Sequence, residues 1–284
     1  MKTPLRLLNA ALTVVLLTSA TATSQQLPDT IDRVRPSIVR VRSECGNGTA
    51  FLVSKEGFAL TAAHMVACRG VSLAGQRVEI GLPLVYSVTD QTQERGNFTF
   101  IDADVIEHED GHDVALLKLS RNPFREEIQS GYTLEGKPLP LMPLGVALLS
   151  TRTLREGEPV AVSGFPFISS VLITNAGIIA STRMAHYFDA RGEGVHVRVT
   201  SDFYFADMTV NHGNSGGPVY DASSEVIGIV SAFKVAELER FVSGAWQQTR
   251  GEGAYGYNAR LAVIVPIAHA KALMTKHGIK LPSQ

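Results

Sequence analysis

The decapeptide NHGNSGGPVY, residues 211–220, sets Ser215 among Gly213, Gly216 and Gly217. Glycine accepts positive φ and lets backbone come close to a ligand. A serine placed this way is either part of a polar turn leading into the strand PVYD or a nucleophile lying under backbone N–H groups. The second reading needs a base to take the hydroxyl proton, and the base needs an acid to orient it. FALTAAHMVAC offers His64, directly after a β-like run and beside small alanines that leave its ring room to face a cleft. EHEDGHDVALLKL offers Asp113, where a loop enters the apolar run VALLKL, with Asp110 in the same turn as its rival.

The same stretch holds a competing motif. His108-Glu109-Asp110-Gly111-His112 matches H-E-x-x-H, in which two histidines on one helix face bind zinc. Gly111 and the β-like runs on either side oppose a helix, so no metal site and no cofactor are expected here.

The elements that must carry these residues are short and β-rich. SIVRVRSE, GTAFLVSKEGFALTAA, VEIGLPLVYSVT, NFTFIDADVIEH and DVALLKLS form one set. EPVAVSGFPF, SVLITNAGIIAS, GVHVRVTSDFYF, SEVIGIVSAF and RLAVIVPI form a second. Strands at this spacing, separated by turn residues, predict an all-β sandwich or barrel. Residues 121–158 read as the connection between two β lobes. PIAHAKALMTKHG predicts a C-terminal helix with Ile267, Ala270, Leu273 and Met274 on one face and Gly278 as its stop.

Composition narrows the function classes. The 284 residues carry a net charge of −1, which offers no general attraction for nucleic acid or an anionic membrane. Lys2 and Arg6, an apolar run over 7–17 and Ala20-Thr21-Ala22 have the layout of a secretory signal cleaved after Ala22. Residues 1–22 are therefore expected to be removed, 23–36 to form a short polar segment, poorly ordered over 23–30, and the product to be secreted or periplasmic with no membrane anchor. In an oxidising compartment the chain's two cysteines, Cys45 and Cys68, are expected to be bridged.

LTAAHMV, HDVALLKL and GNSGGPV, in that order, resemble the three active-site motifs of trypsin/chymotrypsin-type serine proteases. DMTVNHGNSGGPVYDASSEVIGIVSA, VSGFPF, TNAGIIAS and LAVIVPIAHAKAL further resemble the bacterial HtrA/Deg-like branch. The resemblance covers about 37–278 and implies two six-stranded β-barrel lobes, chymotrypsin-like, with the active site between them and a C-terminal helix. It implies a serine endopeptidase acting on proteins or peptides, with Ser215 as nucleophile, His64 as general base and Asp113 as orienting acid. The N–H groups of Gly213 and Ser215 would form the oxyanion hole. Thr209, Val210, Ser231 and Phe233 would line an uncharged pocket for small or medium apolar P1 side chains. Cys45 and Cys68 flank the His64 segment roughly where many secreted members carry a bridge. His212 stands where the branch often has proline, and no residues remain for a PDZ domain after the helix. Asn214 replaces the aspartate that pairs with a new N-terminal amine in many trypsin-like enzymes, so activation by such a pair is not expected. A catalytically silent, protease-like binding protein is the alternative.

Overall fold

The computed structural model describes residues 27–68, 77–85, 98–185, 202–237, 239–242, 245–248 and 256–281. The expected signal segment, 1–22, lies outside the described residues.

The first lobe consists of β1 (Ile38–Ser43), β2 (Gly46–Ser54), β3 (Phe58–Thr61), β4 (Val78–Pro83), β5 (Phe98–Glu109) and β6 (Val114–Leu119). These strands close in the order β1-β2-β3-β6-β5-β4, and β4 pairs back onto β1. The connection holds a hairpin of β7 (Thr133–Leu134) and β8 (Lys137–Pro138), then β9 (Leu148–Leu149). The second lobe is built from β10 (Pro159–Gly164), β11 (Ile173–Ala185), β12 (Asp202–Asp207), β13 (Pro218–Asp221), β14 (Glu225–Glu237) and β17 (Gly256–Pro266). Its order is β13-β10-β11-β12-β17-β14, closed by β13 pairing with β14, while β9 adds in parallel at the edge of β14. A separate hairpin, β15 (Glu239–Val242) with β16 (Ala245–Gln248), precedes β17. The expected pair of six-stranded barrels is present.

Alternation along the strands explains why both lobes are so apolar in sequence. On β2, Ala50 and Leu52 point into the first barrel, whereas Phe51 and Val53 join a cluster shared by both lobes. On β6, Ala115, Leu117 and Leu119 point inward, and Val114 and Leu116 outward into the shared cluster. The second lobe mirrors this on β17, with Ala262 and Ile264 inside and Val263 and Val265 shared. A strand buried on both faces reads as a continuous apolar run. Each large side chain so buried contributes about 1.5–3 kcal/mol. Across the junction Phe98 meets Phe165 edge to face, with ring centroids 5.1 Å apart.

The C-terminal helix α2 (Ile267–Lys276) buries Ile267, Ala270, Leu273 and Met274, the predicted face, in the same shared cluster. Gly278, at φ 66°, ends it. His277 Nε2 lies 2.5 Å from Glu107 Oε2 of β5, and Lys276 also bonds Glu107, so the helix is tied to the first lobe. One expectation needs correction. Residues 27–34 are helical (α1), including 27–30 from the segment expected to be poorly ordered. Ile31 and Val34, three apart, pack on the shared cluster, and the Thr30 hydroxyl donates to the Ala222 carbonyl at 3.2 Å. Tertiary burial orders a segment whose composition alone would not.

Candidate active site

His64 is carried by a 3₁₀ turn, Ala63–Met65, just beyond the end of β3. Its neighbours Ala62 and Ala63 are buried, and the His64 side chain is 31% exposed. Asp113 closes the β5–β6 turn with a left-handed φ of 50°, which aspartate tolerates better than most residues. It is 2% exposed. Its Oδ1 accepts the His64 backbone N–H at 2.9 Å, and His64 Nδ1 lies 3.0 and 2.9 Å from the two carboxylate oxygens. The Ser231 hydroxyl, from β14 of the second lobe, donates to Oδ2 at 2.5 Å. A buried carboxylate needs such partners to remain charged. Burial pushes the His64 imidazole down, but the Asp113 charge and hydrogen bond outweigh it, and the net shift is upward. The rival, Asp110, has a side chain 69% exposed and pairs with His108 instead, at 2.8 Å.

Ser215 lies across the junction on the turn leading into β13. Its carbonyl accepts the Thr49 N–H of β2 at 2.9 Å, a bond from lobe to lobe. Successive carbonyls of this turn are all engaged. That of His212 takes the Phe167 N–H at 2.8 Å, and that of Asn214 takes the Gly217 N–H at 2.8 Å. That of Gly213 takes the Thr49 hydroxyl at 2.7 Å. The N–H of Asn214 goes to Asn211 and that of Gly216 to Val230, at 2.9 and 2.8 Å. Within 213–217 only the N–H groups of Gly213 and Ser215 make no hydrogen bond to the described residues. In a trans peptide the N–H points opposite to its own C=O. Anchoring the carbonyls of His212 and Asn214 therefore aims these two donors the other way.

Two glycines are required here. Gly213 has φ 101°, and a Cβ on it would lie 2.3 Å from the Phe165 carbonyl oxygen. Gly216 has φ 80°, and its Cβ would lie 2.1 Å from Thr61 Oγ1 and 2.2 Å from the Thr49 carbonyl oxygen. Asn214 is fully buried, with its Oδ1 accepting the Asn211 N–H at 2.9 Å.

The expected pocket residues are less uniform in placement. Thr209 is half-buried, and Val210 is fully buried within the second-lobe core. Phe233 is partly buried, with the His212 ring edge-on at 5.4 Å. Ser231 has its hydroxyl on Asp113. That contact, like the role of Thr49, has no local signature in the sequence, since each pairs with a residue more than a hundred positions away. Cys45 and Cys68 are bridged, with Cα atoms 5.7 Å apart, tying the end of the β1–β2 turn to the segment after His64. The H-E-x-x-H stretch ends β5 and enters a turn, without the helix the zinc motif requires. His108 pairs with Asp110 there, and His112 with Glu109, at 2.8 and 2.5 Å.

Comparison with known proteins agrees with this geometry. The family model for the trypsin-like peptidase domain matches residues 48–229. Serine protease HTRA1 of Xenopus tropicalis is 25% identical over 214 residues, a match covering 72% of this chain and 37% of the frog protein. A probable periplasmic serine endoprotease, DegP-like, of Ectopseudomonas mendocina (strain ymp) is 28% identical over 192 residues, covering 68% of this chain and 30% of the relative. The chain thus spans well under half the length of these relatives. Among solved structures, Deg5 superposes with a TM-score of 0.57 at 18% identity, covering 91% of this chain and 98% of that one. The active form of the Rv3671c protease from M. tuberculosis gives 0.57 at 21% identity, covering 90% and 86%. With the domain model matched over more than half of this chain, the chain belongs to the trypsin-like peptidase domain family, and the relatives above show its similarity to HtrA-type serine proteases.

Proposed function

We propose that this protein is an exported serine endopeptidase that cleaves proteins or peptides through an acyl-enzyme. The observation that carries the reading is the pair of N–H groups, Gly213 and Ser215, that make no hydrogen bond to the described residues, on the turn that bears the Ser215 hydroxyl. In this scheme the Ser215 oxygen attacks the scissile carbonyl carbon, and His64 receives the hydroxyl proton. His64 Nδ1 is turned to Asp113, so Nε2 is the nitrogen that takes it. The oxygen of the tetrahedral intermediate lies between the two N–H donors, each typically worth ~10²–10³ in turnover. His64 then passes its proton to the leaving amine, and water releases the acyl group by the reverse sequence. Asp113 orients the imidazole and steadies the imidazolium.

Export rests on the charged, apolar and small-residue layout of 1–22 and on the periplasmic designation of the DegP-like relative. Residues 37–278 then form the protease domain. Thr209 and Phe233 border a pocket without charge, which favours small or medium apolar P1 side chains. Activation needs no new N-terminal amine, because Asn214 is neutral and its oxygen is already engaged with Asn211.

The test is covalent labelling with a fluorophosphonate probe. Labelling that Ser215→Ala abolishes, together with peptide turnover, supports the enzyme. A folded protein that neither labels nor turns over peptides is the silent binding protein instead.

A further inference from the structure

Thr49 is fully buried at the junction of the lobes, and its hydrogen bonds converge on the Ser215 turn. Its N–H donates to the Ser215 carbonyl at 2.9 Å. Its hydroxyl donates to the Gly213 carbonyl at 2.7 Å and accepts the Phe165 N–H at 3.1 Å. Its own carbonyl accepts the Thr61 hydroxyl at 2.8 Å, at the end of the strand that leads to His64. One side chain thus bonds segments 164 and 116 positions away in sequence.

We infer that the Thr49 hydroxyl is a positioning residue for catalysis, holding Gly213 in the one conformation that aims its N–H at the oxyanion. The inference rests on the peptidase reading of the same site. Glycine has the widest backbone freedom of any residue, so nothing intrinsic to Gly213 selects φ 101°. Its conformation is set from outside, by Phe167 on the carbonyl before it and by Thr49 on its own carbonyl. Phe165, whose N–H ends on the Thr49 oxygen, lies two residues before Phe167, so the same hydroxyl braces both supports. The task needs a group that donates to one partner and accepts from another in a site closed to water. Among small side chains only serine and threonine hydroxyls do both well. Valine has nearly the same shape but leaves the Gly213 carbonyl and the Phe165 N–H without this partner.

The experiment compares Thr49→Val and Thr49→Ser with the parent, using peptide turnover normalised to active sites titrated by a fluorophosphonate. For Thr49→Val we expect kcat per titrated site to fall by about 10²-fold, the scale of losing one oxyanion donor. KM and the acid limb of the pH–rate profile, which reports His64, should stay at parental values. Thr49→Ser should restore most of the parental kcat. A role in stability alone would lower the thermal midpoint and the titratable fraction but leave kcat per site unchanged. Unchanged kcat per site in Thr49→Val overturns the inference, as does a Thr49→Ser variant equally impaired. Should Thr49→Val fail to fold, Thr49→Ala, which is smaller and also lacks the hydroxyl, is read by the same criteria. If the parent itself shows no Ser215-dependent turnover, the peptidase reading falls and this inference with it. A parent that turns over normally beside an unaffected Thr49→Val removes the inference alone.

Discussion

Replacing Asp113 by asparagine tests both the chemistry and the geometry of the site. The carboxylate accepts the His64 N–H, faces His64 Nδ1 with both oxygens and accepts the Ser231 hydroxyl. A carboxamide has one oxygen for these donors and an NH2 group in place of the other. Turned with its nitrogen towards Nδ1, it forces the imidazole proton onto Nε2, the tautomer that cannot accept from serine. Turned the other way, it keeps the tautomer but still lacks the charge that steadies the imidazolium. Asp→Asn at this position of a Ser-His-Asp triad lowers kcat by about 10⁴, or ~5.5 kcal/mol. The pH dependence supplies an independent reading. In the parent, the Asp113 charge raises the His64 value against the pull of burial, so the acid limb of kcat/KM is expected above the ordinary histidine value of 6.5. In Asp113→Asn the burial remains and the charge is gone, so the limb should move below that value. Linkage carries the same sign. A raised His64 value gives stability that is fully present below the unfolded histidine pKa and is lost as pH rises through the folded one. The thermal-midpoint advantage of the parent over the variant from this source should accordingly shrink as pH rises through that window. The assay is turnover of a fluorogenic peptide across pH, beside thermal unfolding of parent and variant over the same range. Near-parental kcat in Asp113→Asn, or the large loss appearing in Asp110→Asn, would refute the reasoning.

Ser231→Ala removes one hydrogen bond to a buried carboxylate, a contribution of about 1.5–3 kcal/mol, and should lower kcat by roughly 10–100-fold. Its acid limb should stay near the parental position because the Asp113 charge remains, and a parental kcat would count against the bond. Gly216→Ala forces a Cβ to 2.1 Å from Thr61 Oγ1 at a φ of 80°. Positive φ and overpacking together should destabilise by about 2–5 kcal/mol, and an unchanged urea midpoint would show that the turn relaxes freely. Reducing Cys45–Cys68 opens a loop with a sequence separation of 23. The chain-entropy model gives about 3 kcal/mol, a fall in Tm on the order of 10 °C, checked by calorimetry with and without reductant.

Much of the fold was legible because its signals are local. Period-two alternation, glycine-bearing turns and the Pro266-to-Gly278 helix pattern each occupy about a dozen residues or fewer. The glycines around Ser215 were legible for the same reason, since the constraint at φ 80–101° falls on positions one or two residues from the serine. The motif HDVALLKL favoured Asp113 with Asp110 as its rival, and the structural difference between them is burial, which depends on the whole barrel. Ser231 illustrates the limit. Its position suggested a pocket wall, yet its hydroxyl reaches a partner 118 residues away. Helix α1 was missed because its order comes from packing rather than composition.

The outward face of the first barrel, with Phe51, Leu60 and Leu116, shares its cluster with residues from Val263 to Ile279. Synthesis runs in the same direction as the chain, at about 5–20 residues per second, so the first barrel waits on the order of 8–32 s for the segment that finishes covering it. Through that interval a barrel competent to close presents a sticky apolar wall to whatever is nearby. The wait also separates the parts of the site in time, because His64 and Asp113 emerge long before Ser215, and Ser215 before helix α2. Segments of this length that stall or are clipped upstream of residue 263 should accumulate as inactive, aggregation-prone material.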